Sequence, residues 1–119
     1  MKVPGPDHPI SIVKNPKRVV VKLGGRTIAD TQRALTLSET TLPLVQYIPR
    51  ADVDMSLLER SEEKTYCPYK GDCIYYSIPS GGPRSENAVW SYEEPYPAVA
   101  QIKDHLAFYA KRVDSIEEL

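Results

Sequence analysis

Eleven prolines spread over 119 residues constrain the fold of this chain more than any other feature. Proline disrupts a helix interior, because it lacks the backbone N–H donor and its ring clashes with the preceding turn. Long helices are therefore not expected in the stretches that the prolines interrupt. Between them lie short runs of β-branched and aromatic residues bounded by glycine or proline, which is typical of strands joined by turns. The pattern predicts an all-β, mainly antiparallel protein.

The clearest local prediction is a hairpin near the start of the chain. Residues 18–23 and 26–30 provide its two strands, and Gly24 and Gly25 supply the positive φ angles that a two-residue turn requires. Further strands are predicted, from the alternation of apolar and polar side chains, over residues 33–39, 44–49, 73–78 and 84–92.

The remaining segments are less regular. Residues 61–64 are predicted to form a polar loop, and residues 55–60 and 97–103 fit short helical turns, with Pro97 at a first helical position. Residues 104–109 fit either a last strand, which we favour, or an extension of that helix. About eight short strands in all predict a sandwich or a half-open barrel.

Length and composition indicate a single globular domain. With 119 residues, 41% of them hydrophobic and 26% charged, the chain has the size and balance of an ordinary domain. We expect an extended arm over residues 1–16, a β domain over 17–115 and a short tail over 116–119.

Charge, hydropathy and cysteine content argue against several classes of partner. A formal net charge of −1 lacks the strong positive charge on which nucleic-acid binding depends. No apolar run approaches the ~20 residues of a membrane span, and no charged-then-apolar leader opens the chain. Two cysteines do not make a disulfide framework, so a reduced, cytoplasmic protein is expected.

Two charged residues are predicted to lie on an inner strand face. Alternation places Arg33 and Glu39 on the same side as Leu35 and Leu37. Burying a charge without a partner is costly. The two residues therefore form either an ion pair at the rim of the core or the polar end of a ligand cavity.

Aromatic residues with polar tips are concentrated on the predicted strands. Tyr47, Tyr75, Tyr76, Trp90 and Tyr92 each carry a hydroxyl or indole N–H that needs a partner when it is buried. Aromatic residues on adjacent strands often belong to the core. However, so many polar tips close to charged residues favour a pocket with apolar walls and a few convergent polar groups.

The turn after residue 65 carries the candidate reactive groups. Cys67 precedes Pro68 and lies close to Lys70, and a nearby cation favours a thiolate. A half-buried structural thiol is the alternative. Five residues separate Cys67 from Cys73, whereas structural zinc sites usually use two close pairs of ligands, so no metal site is predicted.

A spaced carboxylate pair, Asp52 and Asp54, resembles the magnesium ligands of some phosphoryl and nucleotidyl transferases. Alternation would place both carboxylates on one strand face. The alternative is a solvated strand edge.

Several blocks recur in an order that resembles a known bacterial family. The most specific are residues 65–71 (Thr-Tyr-Cys-Pro-Tyr-Lys-Gly) and 86–92 (Glu-Asn-Ala-Val-Trp-Ser-Tyr), and others lie at residues 33–35, 39–40, 47–50, 75–77 and 107–109. Over about residues 16–115 the chain is similar to the domain of unknown function 427 family, sometimes labelled nucleotidyltransferase-like. The resemblance implies a β-tent-like fold, two small antiparallel sheets meeting as a half-open sandwich. The resemblance further implies binding of ligands or partners between the sheets, which would place Trp90, Tyr92 and Tyr76 at a site.

Together these features predict a small-molecule pocket and leave open whether the protein is an enzyme. Arg33 would hold an anionic group, Glu39 would exchange a proton, and Lys70 and Cys67 would be the reactive groups. The walls and the orienting group would come from Tyr47, Tyr76, Asn87, Trp90 and Tyr92. No cofactor is predicted, and the protein would be a monomer or homodimer. The alternatives are a protein-interaction module that uses a sheet edge or aromatic patch, and a nucleotidyltransferase.

Overall fold

The computed structural model describes all 119 residues, Met1–Leu119. Ten strands make up the architecture: β1 (Ile10–Lys14), β2 (Val19–Leu23), β3 (Arg26–Thr31), β4 (Leu35–Glu39), β5 (Val45–Pro49), β6 (Glu59–Cys67), β7 (Gly71–Ser77), β8 (Val89–Ser91), β9 (His105–Phe108) and β10 (Ser115–Glu118). The helical segments are short and of the 3-10 type: Arg50–Asp52, Met55–Leu57, Pro79–Ser85, Pro97–Ile102 and Ala110–Arg112. The prediction of an all-β, mainly antiparallel fold is confirmed.

The strands form two sheets that do not close into a barrel. The larger sheet has seven strands in the order β1-β4-β5-β9-β8-β7-β6, and every neighbouring pair is antiparallel. Strand β9 lies between β5 and β8. This order brings Tyr47 of β5 and Trp90 of β8 to the same part of the sheet, although they are 43 residues apart in sequence.

The smaller sheet contains the predicted hairpin. Its order is β10-β2-β3, and Gly24 and Gly25 join β2 to β3 with φ angles of 59° and 76°. A side chain disfavours such angles, so glycine suits this turn. The hairpin prediction is confirmed.

Two buried clusters lie inside the protein. The first, here called the aliphatic cluster, has 16 buried residues and joins the small sheet to the large one through residues such as Val19, Ile28 and Leu106. The second, here called the aromatic cluster, has seven buried residues, among them Tyr47, Cys73 and Tyr92. Burial of this apolar surface is the main favourable term for the fold.

Two of the expected elements differ in the structure. The polar loop predicted over residues 61–64 is part of β6, an edge strand whose polar side chains face water and whose pairing with β7 is irregular between Arg60 and Lys64. The strand predicted over residues 84–92 is shortened to Val89–Ser91. The 3-10 segment before it bends at Gly82, which has φ 61°.

Other segments follow the predictions or add strands to them. The helical turns near 55–60 and 97–103 are present as Met55–Leu57 and Pro97–Ile102, and residues 105–108 form a strand, as favoured. Two strands were not expected: β1 forms within the predicted arm and pairs with β4, and β10 extends into the predicted tail and pairs with β2. No helix of the protein has the length and apolar character that crossing a membrane would require.

Candidate functional site

A cavity of about 210 Å³ opens beside the aromatic cluster. Five aromatic side chains contribute to its walls: Tyr47, Tyr75, Trp90, Tyr92 and Tyr109. Two charged side chains, Glu39 and Lys70, also line it. The cavity is therefore lined mostly by hydrophobic residues, but it also exposes polar atoms, among them those of the ion pair at one end.

The charged end of the cavity is formed by residues from two distant parts of the chain. Glu39 is the last residue of β4, and Lys70 lies in the turn between β6 and β7. Lys70 Nζ donates a hydrogen bond to Glu39 Oε1, and each side chain is 11% exposed. Buried charges need such a partner, because desolvation of an unpaired ion is strongly unfavourable.

The backbone of the turn fixes the position of Lys70. The Lys70 N–H donates to the carbonyl of Cys67 at 3.2 Å, and the Lys70 carbonyl accepts from the Tyr96 N–H at 3.0 Å. Gly71 follows with φ 109°, and a Cβ there would lie 3.4 Å from the Glu94 carbonyl oxygen. Glycine is suited to this position by both its backbone angle and the close approach of residue 94.

A histidine from the N-terminal segment completes the charged end. His8 Nε2 lies 2.7 Å from Glu39 Oε2. The imidazole stacks on Tyr69 at 3.8 Å between ring centroids, with 4° between the planes. Farther along, the Lys2 N–H donates to the Pro68 carbonyl at 2.7 Å. The N-terminal segment therefore lies along the turn that carries Lys70.

Glu39 is ionised in this setting. Burial disfavours its charged form, but the hydrogen bonds from Lys70 and His8 outweigh burial and hold the pKa of Glu39 below its ordinary value. An ionised carboxylate only accepts hydrogen bonds, so His8 Nε2 must carry the hydrogen that it shares with Oε2. Both oxygens of Glu39 are thus engaged within the protein.

The aromatic walls are held together by contacts between rings. Trp90 Nε1 donates to the Tyr47 hydroxyl at 3.1 Å, and the two rings meet nearly perpendicular, with 6.4 Å between centroids. Trp90 also packs on Tyr109 at 4.4 Å. The Tyr75 hydroxyl lies 2.9 Å from Thr65 Oγ1. Edge-to-face aromatic packing of this kind contributes stability beyond its buried area.

Two buried tyrosines of the cavity, Tyr47 and Tyr92, remain protonated. Burial raises the pKa of Tyr47 and of Tyr92 well above the ordinary value. Tyr47 is 1% and Tyr92 6% exposed, yet both line the cavity. The partner of the Tyr92 hydroxyl is the Cys73 thiol, a weak acceptor. The Tyr47 oxygen accepts from Trp90, and its own hydrogen is not donated to any protein group.

The two cysteines are free thiols in different settings. Cys73 is buried and lines the cavity, and burial raises the pKa of its thiol, which disfavours the thiolate. Cys67 is half-buried and packs against the aromatic cluster without lining the cavity.

The structure brings together five of the residues predicted for the site, Glu39, Tyr47, Lys70, Trp90 and Tyr92, and adds Tyr75 from the predicted aromatic set. It does not bring Arg33 to them. The Arg33 side chain is 65% exposed and pairs with Asp52 at 3.1 Å. The reason is local, because β4 begins only at Leu35 and the alternation of that strand does not extend back to residue 33.

Tyr76 and Asn87 also lie outside the cavity. Tyr76 belongs to the aliphatic cluster, and its hydroxyl accepts from Arg50 Nη1 at 3.0 Å. Asn87 borders a separate, more open cleft, has φ 53°, and has a buried side-chain oxygen without a partner.

The carboxylate pair proposed for magnesium makes contacts within the protein. Asp52 accepts from Thr31 Oγ1 at 2.7 Å and from Arg33, and Asp54 caps the turn Met55–Leu57 by accepting from Ser56. The structure contains no group of three or more histidine, cysteine, aspartate or glutamate residues placed to hold a metal ion.

The sequence analysis did not select two residues of the site, Tyr109 in the cavity wall and His8 beside the ion pair. His8 is the one that contacts Glu39. It lies 31 residues from Glu39, and no spacing motif links the two. The one indirect signal is the predicted inward position of Glu39, which requires some partner for its charge.

Most of the chain matches a known protein family. Residues 11–119 match the family described as domain of unknown function (DUF427), whose short label is NTP_transf_9. The chain belongs to the DUF427 family. The resemblance noted from the sequence blocks is thereby confirmed. All the residues that line the cavity lie within the matched range, whereas His8 precedes it. No curated protein matches the chain.

Proposed function

We propose that this protein binds a small organic molecule in the cavity at Glu39 and Lys70. The observation that carries the proposal is a buried ion pair that faces an aromatic cavity instead of being enclosed by side chains. Pockets with apolar walls and a few convergent polar groups are the usual form of a small-molecule site.

The size of the cavity limits the ligand. An apolar cavity of roughly 150 Å³ accommodates benzene. A cavity of about 210 Å³ therefore has room for one ring with a small substituent. Five aromatic side chains around it would pack on the faces and edges of such a ring.

The same arrangement supports proton exchange with a bound ligand. Lys70 lines the cavity and has N–H groups beyond the one that it donates to Glu39, so it is the group placed to exchange a proton with a ligand atom. A proton-exchange role for Glu39 has less support, because both of its oxygens accept hydrogen bonds within the protein. A role for Cys67 as a reactive thiol has less support, since Cys67 does not line the cavity.

The proposal is tested with a panel of one-ring compounds, and with ATP plus magnesium to test the transferase alternative, by ligand-observed NMR. We expect several one-ring compounds to bind, and we expect Trp90→Ala to abolish their binding because it removes one wall. Tyr66→Ala is the control, because Tyr66 is an exposed aromatic residue that contacts Tyr96. No binding by any one-ring compound, or equal binding by Trp90→Ala, would contradict the proposal.

A second candidate, a protein-interaction surface, is favoured by one observation. Leu42 and Leu44 are 57% and 64% exposed, and both line an open groove of about 560 Å³ next to the cavity. Exposed apolar patches of this kind often mark interaction sites. Analytical ultracentrifugation of the wild type and of Leu44→Lys tests this surface, and equal sedimentation at all concentrations would count against self-association through it.

A further inference from the structure

We infer that the ligand of this cavity is a neutral one-ring molecule with a carbonyl oxygen, which accepts hydrogen bonds from Lys70 and Tyr92. The inference rests on the proposed function and adds the chemical class of the ligand. It follows from counting which hydrogen-bonding groups of the cavity the protein already uses.

The strongest acceptor in the cavity is already engaged. Glu39 Oε1 accepts from Lys70, and Oε2 accepts from His8 at 2.7 Å. The Tyr47 oxygen likewise accepts from Trp90 Nε1 at 3.1 Å. A ligand that arrived with only donor groups would have to displace one of these bonds.

Donors, in contrast, remain available to a ligand. A lysine ammonium has three N–H groups, and at Lys70 one of them goes to Glu39. The partner of the Tyr92 hydroxyl is the Cys73 thiol, a weak acceptor that a ligand oxygen can replace. The Tyr47 hydroxyl accepts from Trp90 and donates to no protein group. Because burial raises the pKa of both phenols, they stay protonated and act as donors.

Lys70 and Tyr92 line the same cavity. Lys70 Nζ lies 6.0 Å from the centroid of the Tyr92 ring. A ligand that fills the cavity displaces water from these donors, so a ligand with an acceptor is favoured over one that would leave the donors unbonded.

The charge at this end of the cavity favours a neutral acceptor. The positive charge of Lys70 is balanced by the carboxylate of Glu39, with which it is in contact. A ligand carboxylate at Lys70 would lie close to that carboxylate, and a ligand ammonium would lie close to Lys70 itself. A carbonyl oxygen accepts from the free donors without either repulsion.

Four probes with the same ring test the inference: acetophenone, benzoate, benzylamine and toluene. Dissociation constants are measured by NMR titration of the full chain at neutral pH. We expect acetophenone to bind roughly tenfold more tightly than toluene and benzylamine, and more tightly than benzoate. Equal or tighter binding of benzylamine, toluene or benzoate overturns the inference and leaves the proposed function standing. Failure of all four to bind overturns both.

A pair of tyrosine variants tests the assigned donor. Tyr92→Phe keeps the ring and removes the hydroxyl, and we expect it to weaken acetophenone by about fivefold while toluene is unchanged. Tyr76→Phe is the matched control. Tyr76 is similarly buried, at 5% exposed, and its hydroxyl lies outside the cavity, where it accepts a hydrogen bond from Arg50. Equal affinity for acetophenone in Tyr92→Phe and the wild type overturns the role of this hydroxyl. Equal weakening by both variants overturns it too, because the effect is then one of general stability.

Discussion

The two buried clusters of this protein both pack on the large sheet but differ in the side chains that fill them. The aliphatic cluster is filled by residues such as Val19, Ile28 and Leu106, all 0% exposed. The aromatic cluster is built around tyrosines and lies beside a cavity with an ion pair. Protein interiors in general pack to high density, but here a cavity of about 210 Å³ lies beside the ring contacts of the aromatic cluster. The aliphatic cluster holds the two sheets together, whereas the aromatic cluster adjoins the site that we propose for a ligand.

The largest effect is expected from breaking the ion pair of the aromatic cluster. Lys70→Met leaves Glu39 buried with one partner removed, and we expect a loss of about 3–5 kcal/mol in the free energy of unfolding. Urea unfolding measures the change. The double variant Lys70→Met, Glu39→Met is expected to recover much of the loss. A double variant as unstable as the single one would contradict this account.

A smaller difference is expected between truncations in the two clusters. Leu106→Ala empties space in the aliphatic cluster and should cost about 2–5 kcal/mol. Val45→Ala changes a half-buried residue at the edge of the existing cavity, so we expect a cost of about 1 kcal/mol or less. Urea unfolding of both variants makes the comparison, and similar costs would show that the aromatic cluster is as tightly packed as the aliphatic one.

Added volume should also cost more stability in the aliphatic cluster than beside the cavity. Val19→Leu adds a methylene group to a site that is 0% exposed and should destabilise by about 1–3 kcal/mol. Val45→Leu extends toward the cavity and should change stability by less than about 0.5 kcal/mol. Thermal unfolding of the two variants side by side checks the expectation. Destabilisation by Val45→Leu equal to that by Val19→Leu would argue that the cavity is not open to side chains.

The smallest effect concerns pH. Because the folded-state pKa of Glu39 is lowered, its ionisation stabilises the fold above the unfolded carboxyl pKa, and this contribution is lost as pH falls through the lowered value. The stability difference between the wild type and Lys70→Met, Glu39→Met should therefore shift against the wild type on acidification. Urea unfolding at a series of acidic pH values measures it. A difference that is independent of pH would mean that Glu39 is not ionised in the fold.

The sequence correctly predicted those features of the fold and the site that depend on residues close together in the chain. Gly24 and Gly25 define a turn by their own backbone preferences, and the alternation through Leu35 and Leu37 correctly placed Glu39 inward. Arg33 was misplaced because alternation alone does not show where a strand begins, and β4 begins two residues later.

Contacts between distant segments could not be predicted in the same way. The pairing of Lys70 with Glu39 and the stacking of His8 on Tyr69 depend on how the turn after β6 meets β4 and the N-terminal segment. The separation of Tyr76 from Tyr92 likewise depends on which side of the large sheet each strand face packs against. Periodicity gives the face of a strand but not the cluster to which that face belongs.

The contact between His8 and Glu39 separates ligand preference from the fold itself. His8 lies ahead of β1, outside both sheets, and contacts Glu39 Oε2. Under the proposed function, a relative with a different residue at this point would lack that bond, so its ligand preference would change without any change in the strands. Replacement of His8 is therefore expected to alter which compounds bind while the two sheets stay intact.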